Sequence, residues 1–268
     1  MKTNKHTSDK AQKQVLSDSS AHTYYKVVIR HRKEYFRRPA LQAIYRHWAC
    51  RIRRHLSMAT GRSVELGCGC GALSQYLGLT KTDIYKHDWV DELIDACDMS
   101  YENGECANLV AIDVLHHLPD PCRFLNEVSR VLTYGGRLVM LEPYISFSSY
   151  FFYRFIHHEP LDKNVSPFEP IGLFDKESGE ACNEAIPTLL FVQYQKEFCR
   201  RWPQLAVIRL EFSDALIYPL TGGFSHHSWI PASWVGPLMK FEDILLKKTG
   251  RFLAMRMLVV IEKKEIKE

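Results

Sequence analysis

The chain reads as a Rossmann-like α/β protein, a doubly wound and mostly parallel sheet. Three observations lead there. Val64-Glu65-Leu66 runs straight into Gly67-Cys68-Gly69-Cys70-Gly71, an apolar strand that ends in an acid and a glycine-rich turn. Short apolar runs then alternate with helix-like segments from Ser63 to Glu142, the pattern of a parallel sheet covered on both faces. After a looser middle, 205–212 (LAVIRLEF) and 252–262 (FLAMRMLVVIE) read as two further strands.

The length of 268 residues suits one α/β domain with additions. With 46% hydrophobic and 25% charged residues, a core of ordinary size can form. The net charge of +4 is too small for the whole chain to advertise nucleic-acid binding. No apolar run reaches the length of a membrane span, and MKTNKHTSDKAQKQ lacks the apolar stretch of a secretory signal. The eight cysteines are scattered, with no pair of C-x-x-C units. Reduced thiols, no metal site and a cytoplasmic protein are therefore expected.

Taken in order, residues 1–22 are polar and aperiodic and read as a disordered tail. Residues 23–60 read as basic helices broken at Pro39. Lys26, Arg30, Arg32, Lys33, Arg37, Arg38, Arg46, Arg51, Arg53 and Arg54 face only Glu34 there, with Tyr35, Phe36, Tyr45 and Trp48 interleaved. The main domain spans 61–268. Its strands are expected at 63–66, 81–84, 92–95, 108–113 and 136–142, and its helices at 71–78 and 121–132. Gly135-Gly136 ends the second helix and opens the next strand. A helix is expected at 188–201. Insertions are expected at about 143–187 and 213–250, both rich in aromatics, His and Pro, and loops of that length are usually functional.

The glycine turn lets backbone approach a nucleotide-like ligand, because side chains there would block it or forbid positive φ. Its G-x-G-x-G spacing lacks the last glycine of the dinucleotide signature, and no Gly-Lys-Ser/Thr follows as in a P-loop.

Downstream stretches give the turn its meaning. Thr82-Asp83-Ile84 and Ile94-Asp95-Ala96 put acids at the ends of the second and third strands. Asp113-Val114-Leu115-His116-His117-Leu118-Pro119-Asp120-Pro121 is followed by Arg130-Val131-Leu132-Thr133-Tyr134-Gly135-Gly136-Arg137-Leu138. Together with Glu65–Gly71, these resemble the class I S-adenosylmethionine-dependent methyltransferases, in particular the "LHHL…RVL.PGG" pattern of the subgroup around ubiquinone-type enzymes. The resemblance covers Ser63 to Glu142 and extends to the two C-terminal strands. It departs at Cys97-Asp98-Met99-Ser100-Tyr101, where the family often has an LPF turn, at Asn108, where an Asp is common, and at Thr133-Tyr134, where a proline precedes the glycines.

The resemblance implies a seven-stranded sheet with an antiparallel last strand and S-adenosyl-L-methionine as cofactor. It implies that Glu65 and the backbone of Gly67, Cys68, Gly69 and Gly71 face the amino-acid portion of that cofactor. Asp83 would accept the ribose hydroxyls, with Asp88 as the alternative. Asp95 would accept from the adenine amino group, Ala96 or Cys97 would donate a backbone N–H, and Asp113 would also contact the cofactor. Methyl transfer to a hydroxyl is an in-line displacement helped by a general base. The base candidates are His116, His117, His157, His158, His226 and His227; the set carried forward is His116, His117 and His158 with Asp113 as positioner. The ordinary alternatives are packing or capping for His116 and His117, buried filler for Cys68 and Cys70, and a solvated face for the basic helices.

The aromatic insertions favour a small or medium acceptor over a nucleic acid, and the basic helices favour an anionic one: a phosphorylated or nucleotide-linked sugar, or a lipid-linked intermediate. They also permit contact with an anionic membrane surface. The expected function is O-methylation of such an acceptor. The alternatives are an RNA methyltransferase, motivated by the basic helices, and a non-catalytic methyltransferase-like binding protein.

Overall fold

The computed structural model describes residues 23–157, 159–173 and 181–265. The tail at 1–22 and His158 lie outside them. Its strands are β1 (Arg62–Leu66), β2 (Thr80–Asp83), β3 (Glu92–Leu93), β4 (Cys106–Ile112), β5 (Leu132–Pro143), β6 (Leu205–Ser213) and β7 (Arg256–Lys263). Its helices are α1 (23–37), α2 (Pro39–Arg53), α3 (Pro121–Val131), α4 (Phe147–Phe155), α5 (Ile186–Thr188), α6 (Gln195–Arg201), α7 (Ile217–Leu220) and α8 (Ala232–Leu253).

The strands form one sheet in the order β3-β2-β1-β4-β5-β7-β6. β1 to β5 pair in parallel, and β7 runs antiparallel between β5 and β6, with Arg137 opposite Glu262 and Pro143 opposite Arg256. The sequence expectation of an antiparallel last strand is met.

Strand alternation splits the core into two layers. Leu109, Ala111, Leu138, Met140, Val259 and Ile261 face α3 and the α5–α6 segment through Phe124, Leu125, Leu190 and Phe198. Val110, Val139, Leu141, Leu258 and Val260 face α2 and α8 through Ile44, Trp48, Ile52, Val235 and Met239. Both faces of the central strands are apolar because helices cover both.

Three expectations need correction. The helix expected at 71–78 is a single 3-10 turn, Leu73–Gln75. Gly71 is left-handed and Thr80 already begins β2, so the chain has no room for a long helix there. Its covering role passes to α2, whose Ala40, Ile44 and Trp48 pack with Leu73, Leu77 and Leu79. The run 213–250, expected as a loop insertion, is largely α7 and the 22-residue α8, part of the covering layer. Gly236-Pro237 near the start of α8 disguised its helical period. Residues 252–253 accordingly end α8, and the last strand starts at Arg256.

Other elements lie close to expectation. Arg38 is extended (φ −116°, ψ 94°) just before Pro39, where the break was expected. The 188–201 helix is interrupted at Tyr194. β5 starts four residues early, at Leu132. Residues 133–136 bulge out before Arg137 takes up pairing with Asn108, and Gly135 there is left-handed.

The basic helices are less bare than their sequence. Arg37 and Arg38 pair with Glu34, and Arg51 is buried between Glu211 of β6 and Asp243 of α8, 3.1 Å from each. Arg51 therefore clamps α2 to two elements far away in sequence. Arg51→Ala is expected to cost about 2–3 kcal/mol in urea unfolding, because two carboxylates lose their shared cation; a change under half of that would show the clamp to be idle.

Candidate functional site

The site lies at the C-terminal ends of β1, β2, β4 and β5, where open α/β sheets gather ligands. After β1 the backbone of Gly67, Gly69 and Gly71 is left-handed at φ 58°, 47° and 69°. A Cβ on Gly67 would sit 2.8 Å from Val114 Cγ2, and one on Gly71 would sit 2.9 Å from Trp89 Cδ1. Gly67→Ala is expected to destabilise by about 2–4 kcal/mol, summing left-handed strain and overlap; an unchanged melting temperature would contradict the account.

Two carboxylates stand side by side below this turn. Glu65, in β1, is buried and its Oε2 has no hydrogen-bond partner. Burial raises its pKa to about 8, against the pull of Lys81 and with a further push from Asp83. Asp83 is the last residue of β2, also buried. It accepts from the N–H of Gly69 at 3.0 Å and of Tyr85 at 3.1 Å, and from the Tyr24 hydroxyl at 3.2 Å. Burial raises its pKa too, partly offset by these donors. Asp88, the alternative, is exposed.

α1 and the segment after β2 close over the turn. Trp89 Nε1 donates to Gly69 O at 2.8 Å, and Arg32 donates to Cys70 O at 2.8 Å with its guanidinium 4.1 Å from the Trp89 ring centre. Cys68 and Cys70 are buried beneath, and burial pushes the Cys70 thiol up to about 12. Beyond β3, Asp95 is exposed and caps the Cys97 N–H at 2.8 Å, with Ala96 buried beside it.

A second group forms after β4. Asp113 is left-handed (φ 56°) and hydrogen-bonds Arg256, whose guanidinium lies 4.6 Å from the Trp48 ring centre. So Asp113 meets Arg256, a partner the sequence reading did not give it. His116 and His117 occupy the turn Leu115–His117. Glu142, near the end of β5 and fully buried, accepts from the N–H of Val114 at 3.0 Å and of Leu115 at 2.9 Å, and its Oε2 is 2.8 Å from His116 Nδ1.

The turn also faces the segments after α4 and before α5. His116 Nε2 lies 3.6 Å from Glu159 Oε2, and His117 Nε2 lies 3.8 Å from Glu159 Oε1. His157 Nδ1 lies 3.3 Å from Glu184 Oε1. Burial works to discharge His116, but Glu184, Glu142 and Glu159 outweigh it and hold its pKa well above the ordinary histidine value. Burial and the neighbouring His116 lower that of His117. Burial raises Glu184, whereas the two histidines overcome burial and hold Glu159 low. Their surroundings thus push the two histidines that sequence left equivalent in opposite directions.

Glu65, the glycine turn and Asp83 come together, and so do His116, His117 and Asp113's neighbourhood. Of the other base candidates His157 joins the second group, while His226 and His227 are exposed in the segment before α8. Sequence reasoning missed Tyr24, Trp89, Glu142, Glu159, Glu184 and Arg256. For Glu142 and Arg256 a signal existed: each is a charge inside an apolar strand run, RLVMLEP and MRMLVV.

Comparison with known proteins agrees with this layout. Residues 64–140 match the family described as a methyltransferase domain. The chloroplastic tocopherol O-methyltransferase of Arabidopsis thaliana is 26% identical over 100 residues, which is 29% of this chain and 29% of that protein. The match thus spans under a third of the curated relative. A solved S-adenosylmethionine-dependent methyltransferase of Thermotoga maritima, described as a possible histamine N-methyltransferase, aligns at a TM-score of 0.53 and 12% identity. That alignment covers 92% of this chain and 100% of the other. A geranyl diphosphate C-methyltransferase of Streptomyces coelicolor A3(2) aligns at a TM-score of 0.44 and 14% identity, over 81% of this chain and 78% of the other. At 12% identity the likeness to the Thermotoga structure is one of fold. Sequence match, strand order and glycine turn agree: this chain carries a methyltransferase domain, in the fold of the class I S-adenosylmethionine-dependent methyltransferases.

Proposed function

We propose that the protein transfers a methyl group from S-adenosyl-L-methionine to an oxygen of a small, lipid-linked acceptor. The observation that carries the cofactor is Glu65, a buried carboxylate oxygen without a partner beside three left-handed glycines. A ligand bearing a sulfonium and an ammonium suits that orphaned oxygen and would favour its ionised form. Glu65 and the backbone of the glycine turn would hold its amino-acid portion, and Asp83 its ribose. The Tyr24 hydroxyl already makes to Asp83 the hydrogen bond that a ribose hydroxyl would make. Bound there, the cofactor supplies an electrophilic methyl group. The chain's own residues orient it, keep water out through the Trp89 and Arg32 cover, and offer the imidazole–carboxylate group after β4 as the place where an acceptor proton is received.

The acceptor class rests on an aromatic surface. Phe147, Phe151 and Phe155 of α4 form one exposed stripe, 73%, 50% and 74% accessible, and α8, which packs on α4, adds exposed Phe241, Ile244 and Phe252. Lys247, Lys248 and Arg251 lie on the same helix as that second group. Apolar residues among cations suit an acceptor held at an anionic lipid surface. Among the described residues no helix is long and apolar enough to cross a membrane, so this contact would be peripheral. The RNA reading loses ground because Arg51, Arg37 and Arg38 are paired internally.

Calorimetric titration with S-adenosylmethionine and S-adenosylhomocysteine tests the cofactor. Micromolar binding that Asp83→Ala abolishes is expected; no binding of either compound would favour the non-catalytic alternative. Flotation with vesicles containing anionic lipid tests the surface. Wild type should float and Phe151→Ser/Phe155→Ser should not; no flotation of the wild type would leave a soluble acceptor.

A further inference from the structure

The polar group after β4 has the make-up of a metal centre. His116, His117, Glu159 and Cys182 bring one donor atom each within 4.8 Å of one another, and His157, Glu159 and Glu184 form an overlapping set. We propose that these residues bind one divalent transition-metal ion, zinc in the first instance, with His116 Nε2, His117 Nε2, Glu159 and Cys182 as its ligands. Glu184 lies beside them as the alternative carboxylate.

Spacing is the first argument. The Nε2–Oε contacts of 3.6 and 3.8 Å are long for hydrogen bonds, and the Cys182 thiol reaches Glu159 Oε2 at 3.8 Å, a sulfur hydrogen-bond distance that a metal ligand pair also spans. They match the edge of a tetrahedron whose ligands stand 2.0–2.3 Å from a zinc ion, about 3.3–3.8 Å.

Orientation is the second. Glu142 Oε2, at 2.8 Å from His116 Nδ1, fixes the ring so that Nε2 turns to Glu159, and Glu142 is itself fixed by two backbone N–H groups. Metal-binding histidines are held by a carboxylate in this way. The segments are also tied to one another through backbone: Asn183 N–H donates to His116 O at 2.9 Å and Glu184 N–H to Pro160 O at 3.1 Å.

Unmet polar atoms are the third. Glu184 is 1% exposed and its Oε2 has no hydrogen-bond partner; His117 Nδ1 is buried without one as well. Glu142, Glu159 and Glu184 converge on His116 and His157 at 2.8, 3.6 and 3.3 Å. A divalent cation among three carboxylates and these imidazoles would offset the carboxylates' charge. The mixed imidazole, carboxylate and thiol set suits zinc better than magnesium or calcium, which take oxygen ligands.

The four ligands come from three stretches separated by about 40 and 20 residues, so no short motif announces them; the sequence expectation of no metal rested on the absence of C-x-x-C pairs. An ion here would occupy the imidazole–carboxylate group offered above to the acceptor proton, and would then act in its place by taking an acceptor hydroxyl or phosphate oxygen as a further ligand. Only that consequence rests on the methyl-transfer reading. Metal binding is read without cofactor or acceptor, so the two can fail separately.

The test uses the full chain stripped with a chelator and dialysed. Elemental analysis after incubation with zinc should find one equivalent per chain, and cobalt substitution should give visible bands with a thiolate charge-transfer band that Cys182→Ser removes. Glu159→Gln and His117→Gln should each weaken zinc binding at least tenfold while keeping the wild-type circular dichroism; exposed His226→Ala should not. Zinc should raise the melting temperature of the wild type and not of Glu159→Gln. Absence of stoichiometric zinc or cobalt in the wild type would overturn the proposal, leaving Glu159 and Glu184 to share a proton. Equal affinity in all variants would overturn it too, because the metal would then be adventitious.

Discussion

Glu142→Ala is expected to cost about 3–5 kcal/mol in urea unfolding and to remove the proposed methyl-transfer activity. The carboxylate accepts from two backbone N–H groups and His116 in a fully buried place. Alanine would leave two buried donors and a buried imidazole unpaired, and each orphaned donor costs on the order of 1–3 kcal/mol. Glu142→Gln separates structure from charge. Its amide oxygen can still accept from Val114 and Leu115, but it brings no negative charge to His116. The Gln variant should therefore recover more than half of the lost stability, with its activity still impaired. If Ala and Gln lose equal stability, the backbone bonds carry nothing and the His116 contact carries it all. If Ala costs less than about 1 kcal/mol, the turn after β4 is not held by Glu142.

What the sequence made legible was local. The β1 run, the glycine turn and the acid closing β2 lie within 20 residues, and their chemistry is set by neighbours along the chain. The apolar runs marked β4, β5 and β7 because both of their faces are covered over most of their length. What stayed hidden was the substitution of one element for another. The short turn at Leu73–Gln75 leaves a face of the sheet bare, and α2 fills it from upstream with Ile44, Trp48 and Ile52. Periodicity shows that α2 has an apolar face but not what it covers. Likewise, ten cations against Glu34 read as an exposed basic surface, although Arg51 is matched by acids 160 and 192 residues away. The second polar group is the extreme case: His116, Glu142, Glu159 and Glu184 are brought together only by the tertiary fold. A glutamate inside RLVMLEP was the one local hint.

Glu65→Gln is expected to stabilise the unliganded protein at pH 7–8 and to weaken cofactor binding. The folded-state pKa of Glu65 is about 8, above its ordinary value of 4.5. An acid raised in this way costs nothing below pH 4.5, where both states are protonated. Its cost grows as pH rises through the window from 4.5 to about 8 and is constant above it. At pH 7 the linkage amounts to roughly 3 kcal/mol, so the Gln variant should be the more stable there by up to that amount, with the gap closing toward pH 4.5. Binding reverses the sign. A sulfonium and an ammonium beside the carboxyl favour its ionised form, so S-adenosylmethionine should expel a proton from wild-type Glu65 near pH 7. Titrations in two buffers of different ionisation enthalpy would read that release as a difference in apparent heat, and Gln should abolish it. Wild-type affinity should rise by up to about tenfold per pH unit between pH 6 and 7.5. Equal proton release in wild type and Glu65→Gln would move the cofactor's cationic end away from Glu65 and toward Asp83. The turn's three glycines would still admit the ligand, but the orphaned oxygen of Glu65 would then need another partner.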